Sequence, residues 1–220
     1  MVQKGSVPSA PCASLQIVLF VPPGRRQGGL PLSTLSPLSA ASSGSPLFRK
    51  ATEQDLDAIT AIYDRILALE EAGSGTTGWV RHIYPTRDTA LTALKRDDLF
   101  VQETDGQVTG AAVLNQLQVD VYKGAPWQHA APDEKVMVLH TLVIDPLHKG
   151  KGLGRAFVRF YEDYALQQGC PFLRMDTNAR NLPARAFYKK LNYQEIAIVP
   201  CVFNGIADVQ LVLLEKKLSA

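Results

Sequence analysis

Apolar positions recur at two spacings along the chain, and the regular pattern begins only near residue 47. Residues 47–51 make a short apolar-led run that predicts a first strand. Thr52 with Asp55 three positions on predicts a helix N-cap, after which Leu56, Ile59, Tyr63, Ile66 and Leu67 mark one helical face. The loop 73–78 ends that helix and leads to Trp79. Pro85-Thr86-Arg87-Asp88 opens a second helix, with Ala90, Leu91 and Leu94 facing inward. Residues 99–103 and 108–114 alternate as strands around an Asp105-Gly106 hairpin turn. The run 136–144 is almost wholly apolar and predicts a buried strand. Leu153, Phe157, Phe160, Tyr161 and Tyr164 then return to helical spacing. Further strands are expected at 172–177, 195–199 and 209–215, with a helix over 181–191 and a turn at Asn204-Gly205. The order is strand, two helices, three strands, helix, strand, helix, two strands. It implies an α/β fold with a mixed, mostly antiparallel central sheet and helices on both faces.

The first 45 residues differ in composition. They are rich in Pro, Ser and Gly and contain no Asp or Glu. Such a stretch buries too little to offset its ordering entropy and is expected to be disordered. Residues 46–220 then form one domain. The apolar patch 15–21 is much too short to span a bilayer; a signal peptide or organellar presequence there is a weaker option. With 46% hydrophobic and 20% charged residues and a net charge of +2, nothing argues for nucleic acid or an anionic membrane as partner. Three scattered cysteines (Cys12, Cys170, Cys201) suggest neither a disulfide framework nor a zinc site, and no metal is expected; a cytoplasmic setting is the simplest reading.

The apolar strand stops at Asp145-Pro146, and Gly150, Gly152 and Gly154 follow before the next helix. Glycines there allow close backbone approach, and the free N–H groups and dipole of a helix start favour a phosphate. Lys149, Lys151 and Arg155 add positive charge. A strand-to-helix turn without a ligand is the alternative. The frame is neither a Walker A loop, since no Ser or Thr follows Lys151, nor a dinucleotide fingerprint, since Arg155 stands where the third glycine belongs.

Lys149-Gly150-Lys151-Gly152-Leu153-Gly154 resembles the coenzyme A motif [QR]-x-x-G-x-[GA] of the GNAT superfamily of N-acetyltransferases, with Lys for Gln or Arg. Downstream, Asn181, Ala184, Phe187, Tyr188, Leu191 and Tyr193 resemble the family's N-x-x-[AS]-x-x-[LF]-Y-x-K-x-G-[FY] block, with Asn192 for glycine. The resemblance covers residues ~47–217. It implies acetyl-CoA as acyl donor, with the backbone of Leu142, Val143 and Ile144 pairing with pantetheine and 149–155 wrapping the pyrophosphate. It also implies that the fourth and fifth strands splay apart.

His140 sits in the middle of the apolar strand, where a buried ionisable group needs a reason. Period-two alternation puts it on one face with Val138, Leu142 and Ile144. It is either a core histidine or, as the resemblance implies, the base that takes the proton of the acceptor amine; Glu103 and Asp176 are the other candidates. Tyr188 falls where the family often has a tyrosine that protonates the leaving thiolate, and of Tyr188 and Phe187 only one can point into the site. Asn181 is a helix cap, a pantetheine contact, or both. Trp79, Trp127 and Phe203 lie in segments that bind the acceptor in the family, or they are packing anchors. Two functions stay open: an N-acetyltransferase acting on a primary amine of a small molecule, amino acid or peptide, or a non-catalytic coenzyme A-binding domain. A homodimer is compatible with either.

Overall fold

The computed structural model describes residues 45–219, so the expectation for residues 1–44 lies outside the described residues. Seven strands and four longer helices follow in the expected order: β1 (Leu47–Lys50), α1 (Leu56–Glu71), α2 (Arg87–Lys95), β2 (Leu99–Thr104), β3 (Gln107–Asn115), β4 (Val136–Ile144), α3 (Leu153–Gln167), β5 (Phe172–Asn178), α4 (Leu182–Lys190), β6 (Gln194–Phe203) and β7 (Ile206–Lys217). They form one sheet in the order β1-β2-β3-β4-β5-β7-β6. Only β4 and β5 are parallel; every other neighbouring pair is antiparallel.

Two apolar layers explain why these residues take these elements. The helical stripe Leu56, Ile59, Ile62, Tyr63, Ile66 and Leu67 of α1 is buried on one face of the sheet, together with Ala90 and Ala93 of α2. Phe157, Val158 and Tyr161 of α3 and Ala184 and Tyr188 of α4 are buried on the other. Each large side chain so buried contributes about 1.5–3 kcal/mol. The central strand β4 is covered on both faces, so its sequence is continuously apolar rather than alternating. Asp105 and Gly106 both take positive φ, 52° and 74°, which is the turn that suits a two-residue hairpin.

The last hairpin is longer than its sequence suggested. The expected strand 195–199 runs instead from Gln194 to Phe203, straight through Pro200, and its partner from Ile206 to Lys217. Pro200 lacks a ladder donor, but β6 lies at the sheet edge and tolerates it there.

Two irregularities in the middle of the sheet create the site. The β4–β5 ladder holds only Val136↔Phe172, Met137↔Leu173 and Val138↔Arg174, and beyond these the strands part. Within β4, Thr141 has φ 47°, strained for a β-branched residue, and the β3–β4 register shifts there. Val136 and Val138 pack on the α1/α2 face, Met137 and Leu139 on the α3/α4 face. After the bulge the phase is inverted: Leu142 and Ile144 lie on the α3/α4 face and Val143 on the other. The expectation that His140 shares a face with Leu142 and Ile144 is therefore wrong. His140 stays with Val138 on the α1/α2 face, because a bulge shifts the two-residue period by one.

Candidate active site

Beyond the end of β4 lies a cavity of about 290 Å³ whose wall includes Ile144, Asp145, Lys149, Gly150, Gly152 and Arg155. Gly152 is the N-cap of α3 with φ 76°, and Gly150 has φ 80°. A Cβ built at either glycine meets no atom within 4 Å, so the space above this helix start is open. Lys149, Lys151 and Arg155 are exposed around it. Backbone donors, the positive end of a 15-residue helix and two of these cations, Lys149 and Arg155, thus meet on one concave surface, an arrangement suited to a pyrophosphate.

Its position is fixed from both sides. Arg65 of α1 makes a bidentate pair with buried Asp145 at the end of β4, Nε to Oδ1 at 2.9 Å and Nη2 to Oδ2 at 2.8 Å. The same Oδ1 accepts from Leu147 N, which starts the turn. From β2, buried Gln102 donates through Nε2 to the carbonyl of Leu153 in the first turn of α3. Neither Arg65 nor Gln102 was visible as a site residue in the sequence, since each belongs to an element far from the motif.

Four polar residues follow from β4, β5 and α4: His140, Asp176, Asn181 and Tyr188. Leu142 and Val143 are fully buried, and Ile144 reaches the cavity wall. Tyr188 is fully buried on α4 and its hydroxyl has no partner among the described residues; the neighbouring Phe187 lines the cavity. Burial holds the Tyr188 phenol well above its usual value, so it stays protonated. Asn181 caps α4 by accepting from Ala184 N, and also accepts from Thr76 Oγ1 at 3.0 Å. His140 is buried, with Nε2 2.9 Å from Asn115 Oδ1. Burial, with a smaller push from Arg96, lowers its pKa to about 3, so the imidazole is neutral. Asp176 is buried with one oxygen bonded to Tyr122, and burial raises it to about 7. Glu103 is instead tied to Arg49 at the β1–β2 edge, away from the split.

Residues 65–193 match the Acetyltransferase (GNAT) family. The chain belongs to that family. It is 24% identical over 157 residues to the uncharacterized N-acetyltransferase MJ1207 of Methanocaldococcus jannaschii, covering 69% of this chain and 62% of the relative's length. The fold is shared with a GNAT-family acetyltransferase of Streptococcus agalactiae, at TM-score 0.68 and 20% identity over 80% of this chain and 96% of that one. It is also shared with yncA of Salmonella typhimurium, solved with its cofactor acetyl-CoA, at TM-score 0.58 and 20% identity over 80% and 95% of the two chains.

The aromatics expected on the acceptor side are mostly packed. Trp79 and Phe203 are buried and stand edge-on to Tyr84, at 5.6 and 5.1 Å between ring centres. Trp127 is half-buried, edge-on to Tyr122 and under the guanidinium of Arg174 at 4.2 Å. Tyr84, which the sequence did not single out, links this cluster to the bulge, its hydroxyl 2.6 Å from Thr141 Oγ1.

Proposed function

We propose that this chain is an acetyl-CoA-dependent N-acetyltransferase that moves an acetyl group to a primary amine of a small molecule, amino acid or peptide. The observation that carries the reading is the open glycine turn at the start of α3, reached from the end of β4 after that strand has parted from β5. A pantetheine arm fits alongside unpaired strand edge while a pyrophosphate sits on a helix N-terminus. Leu142, Val143 and Ile144 would pair with the arm through their backbone, and Lys149, Gly150, Lys151, Gly152, Leu153, Gly154 and Arg155 would hold the pyrophosphate. Asn181, occupied as a cap, would fix the start of α4 rather than reach the ligand. When bound, acetyl-CoA supplies an acetyl group activated as a thioester.

Tyr188 is assigned the acid that returns a proton to the sulfur. Its support is a buried hydroxyl with no partner among the described residues, which a packing role alone does not require. His140 is assigned a positioning role. Its Nε2–H donates to Asn115 Oδ1, and although Nδ1 has no partner among the described residues, burial lowers the imidazole to about 3 and makes it a poor proton acceptor; Asn115 in turn donates to Asp98 beside β2. Calorimetry with acetyl-CoA tests the reading. Micromolar binding that is lost in Gly152→Asp supports it, and wild-type affinity in that variant removes the assigned cradle.

A further inference from the structure

Asp176 lies two residues beyond Arg174, the last residue of β5 paired with β4, so it stands where the two strands have separated. Its cross-strand partner on β7 is Leu213, which belongs to the α1/α2-side core, so Asp176 faces that side. The residue is fully buried. Tyr122 donates to Oδ2 at 2.9 Å, while Oδ1 has no partner among the described residues. No cation among the described residues pairs with it. The nearby Arg174 is engaged by Glu215, Gln118 and the carbonyl of His129. The titratable groups that face it are Tyr122, from the β3–β4 connection, and Tyr84, from the α1–α2 connection. A buried carboxyl with an unused lone pair is costly, and nothing in the packing around it uses that oxygen.

We propose that Asp176 is the carboxylate that binds the ammonium of the incoming acceptor and takes its proton, and that this acceptor is a primary amine on an uncharged apolar or aromatic stem. This rests on the acetyltransferase reading. The geometry supplies the direction: beyond the last β4–β5 pair, Asp176 faces the α1/α2 side of the sheet. The stem follows from the side chains on that face, of which Tyr122 and Trp127 line a cavity. Tyr84 with Trp79 and Phe203, and Tyr122 with Trp127, are aromatic groups suited to apolar and cation–π contact. Glu215 and Arg174, beside Trp127, already engage each other.

The step balances. The acceptor enters as R–NH₃⁺ and gives one proton to Asp176. Its nitrogen then forms the N–C bond to the acetyl carbonyl carbon as the C–S bond breaks. The second nitrogen proton leaves as the amide forms, and the departing thiolate receives a proton from Tyr188, whose phenol is restored from that released proton. The amide keeps the third. The Asp176 proton returns to solvent before the next cycle, so the net products are the acetylated amine, the free thiol and one proton.

The test is a ¹³C carboxyl titration of the full chain with coenzyme A present, the Asp176 resonance being assigned by its absence in Asp176→Asn. The midpoint is expected near 7 without amine. Saturating 2-phenylethylamine should lower it by about 1–3 units, as an opposite charge in contact does. A midpoint that neither 2-phenylethylamine, n-butylamine nor spermidine moves overturns the proposal, provided that acetyl-CoA still binds by calorimetry. A wild-type chain that binds no acetyl-CoA overturns both this inference and the reading beneath it. A larger shift with spermidine than with 2-phenylethylamine overturns the apolar stem. In turnover, Asp176→Asn should lose roughly 10²- to 10³-fold with unchanged acetyl-CoA affinity. Should that variant fold poorly, Tyr122→Phe serves in its place. It removes the bond that lowers the Asp176 pKa, so both the resonance midpoint and the acid limb of the rate profile should move upward. An unmoved midpoint in Tyr122→Phe would count against the assignment.

Discussion

Asp176 and His140 should give the folded chain opposite responses to pH, which can be measured without any ligand. Burial raises Asp176 from 3.8 to about 7, so between those values the folded state holds a proton that the unfolded state has lost. Stability then falls as pH rises through that window, by about 1.4 kcal/mol per unit and up to about 4 kcal/mol in total. Burial lowers His140 from 6.5 to about 3, so there the unfolded state holds the extra proton. Stability from this group is fully present above 6.5 and is lost as pH falls towards 3, at the same rate per unit. From about pH 4 to 6.5 the two slopes cancel in the wild type. Each single variant exposes the other group. Relative to wild type, Asp176→Asn should gain stability steadily as pH rises from 4 to 7 and then level off. His140→Gln should gain, relative to wild type, as pH falls from 6.5. Urea unfolding at half-unit pH steps reads both differences directly. A pH-independent difference for Asp176→Asn would refute the buried, proton-holding carboxyl on which the assignment of the base depends.

Three further outcomes are expected. Gly152→Asp should abolish acetyl-CoA binding by calorimetry while the chain remains folded, because it puts a negative charge at the helix N-terminus and a side chain at φ 76°. Tyr188→Phe should reduce turnover with little change in acetyl-CoA affinity, and the unliganded protein should be as stable or more so by about 1 kcal/mol, since the lost hydroxyl has no partner. Arg65→Ala should lower stability by about 2–3 kcal/mol in urea unfolding, because it leaves Asp145 buried without its bidentate partner, the partial exposure of Arg65 keeping the loss below that of a deep pair.

The elements themselves were legible because local signals agreed with the tertiary structure. The three- and four-residue stripe of α1, the type I′ pair Asp105-Gly106 and the glycine turn before α3 each have one physical solution. The length of β6 was not legible because a strand runs through a proline such as Pro200 only at an edge, and edge position is a property of the assembled sheet. The larger error concerned His140. Face assignment assumes an unbroken two-residue period, and Thr141 gives no warning of a bulge, since a β-branched residue is the last one expected at φ 47°. Phe187 and Tyr188 were distinguished by motif rather than by packing, and the cavity wall takes Phe187. Arg65 and Tyr84 were invisible for a different reason. Their importance lies in contacts 80 and 57 positions away along the chain, to Asp145 and Thr141.

The central claim is acetyl transfer to an amine, and free-thiol release from acetyl-CoA by the full chain measures it most directly. The probes are 2-phenylethylamine, n-butylamine, spermidine and an N-terminal alanine peptide, with mass spectrometry of each amine. The account predicts thiol release that depends on amine, with one acetyl group gained per thiol and 2-phenylethylamine preferred over spermidine. Saturable acetyl-CoA binding with thiol release no faster than in the absence of every amine would contradict it, and would leave a domain that holds the coenzyme without using it.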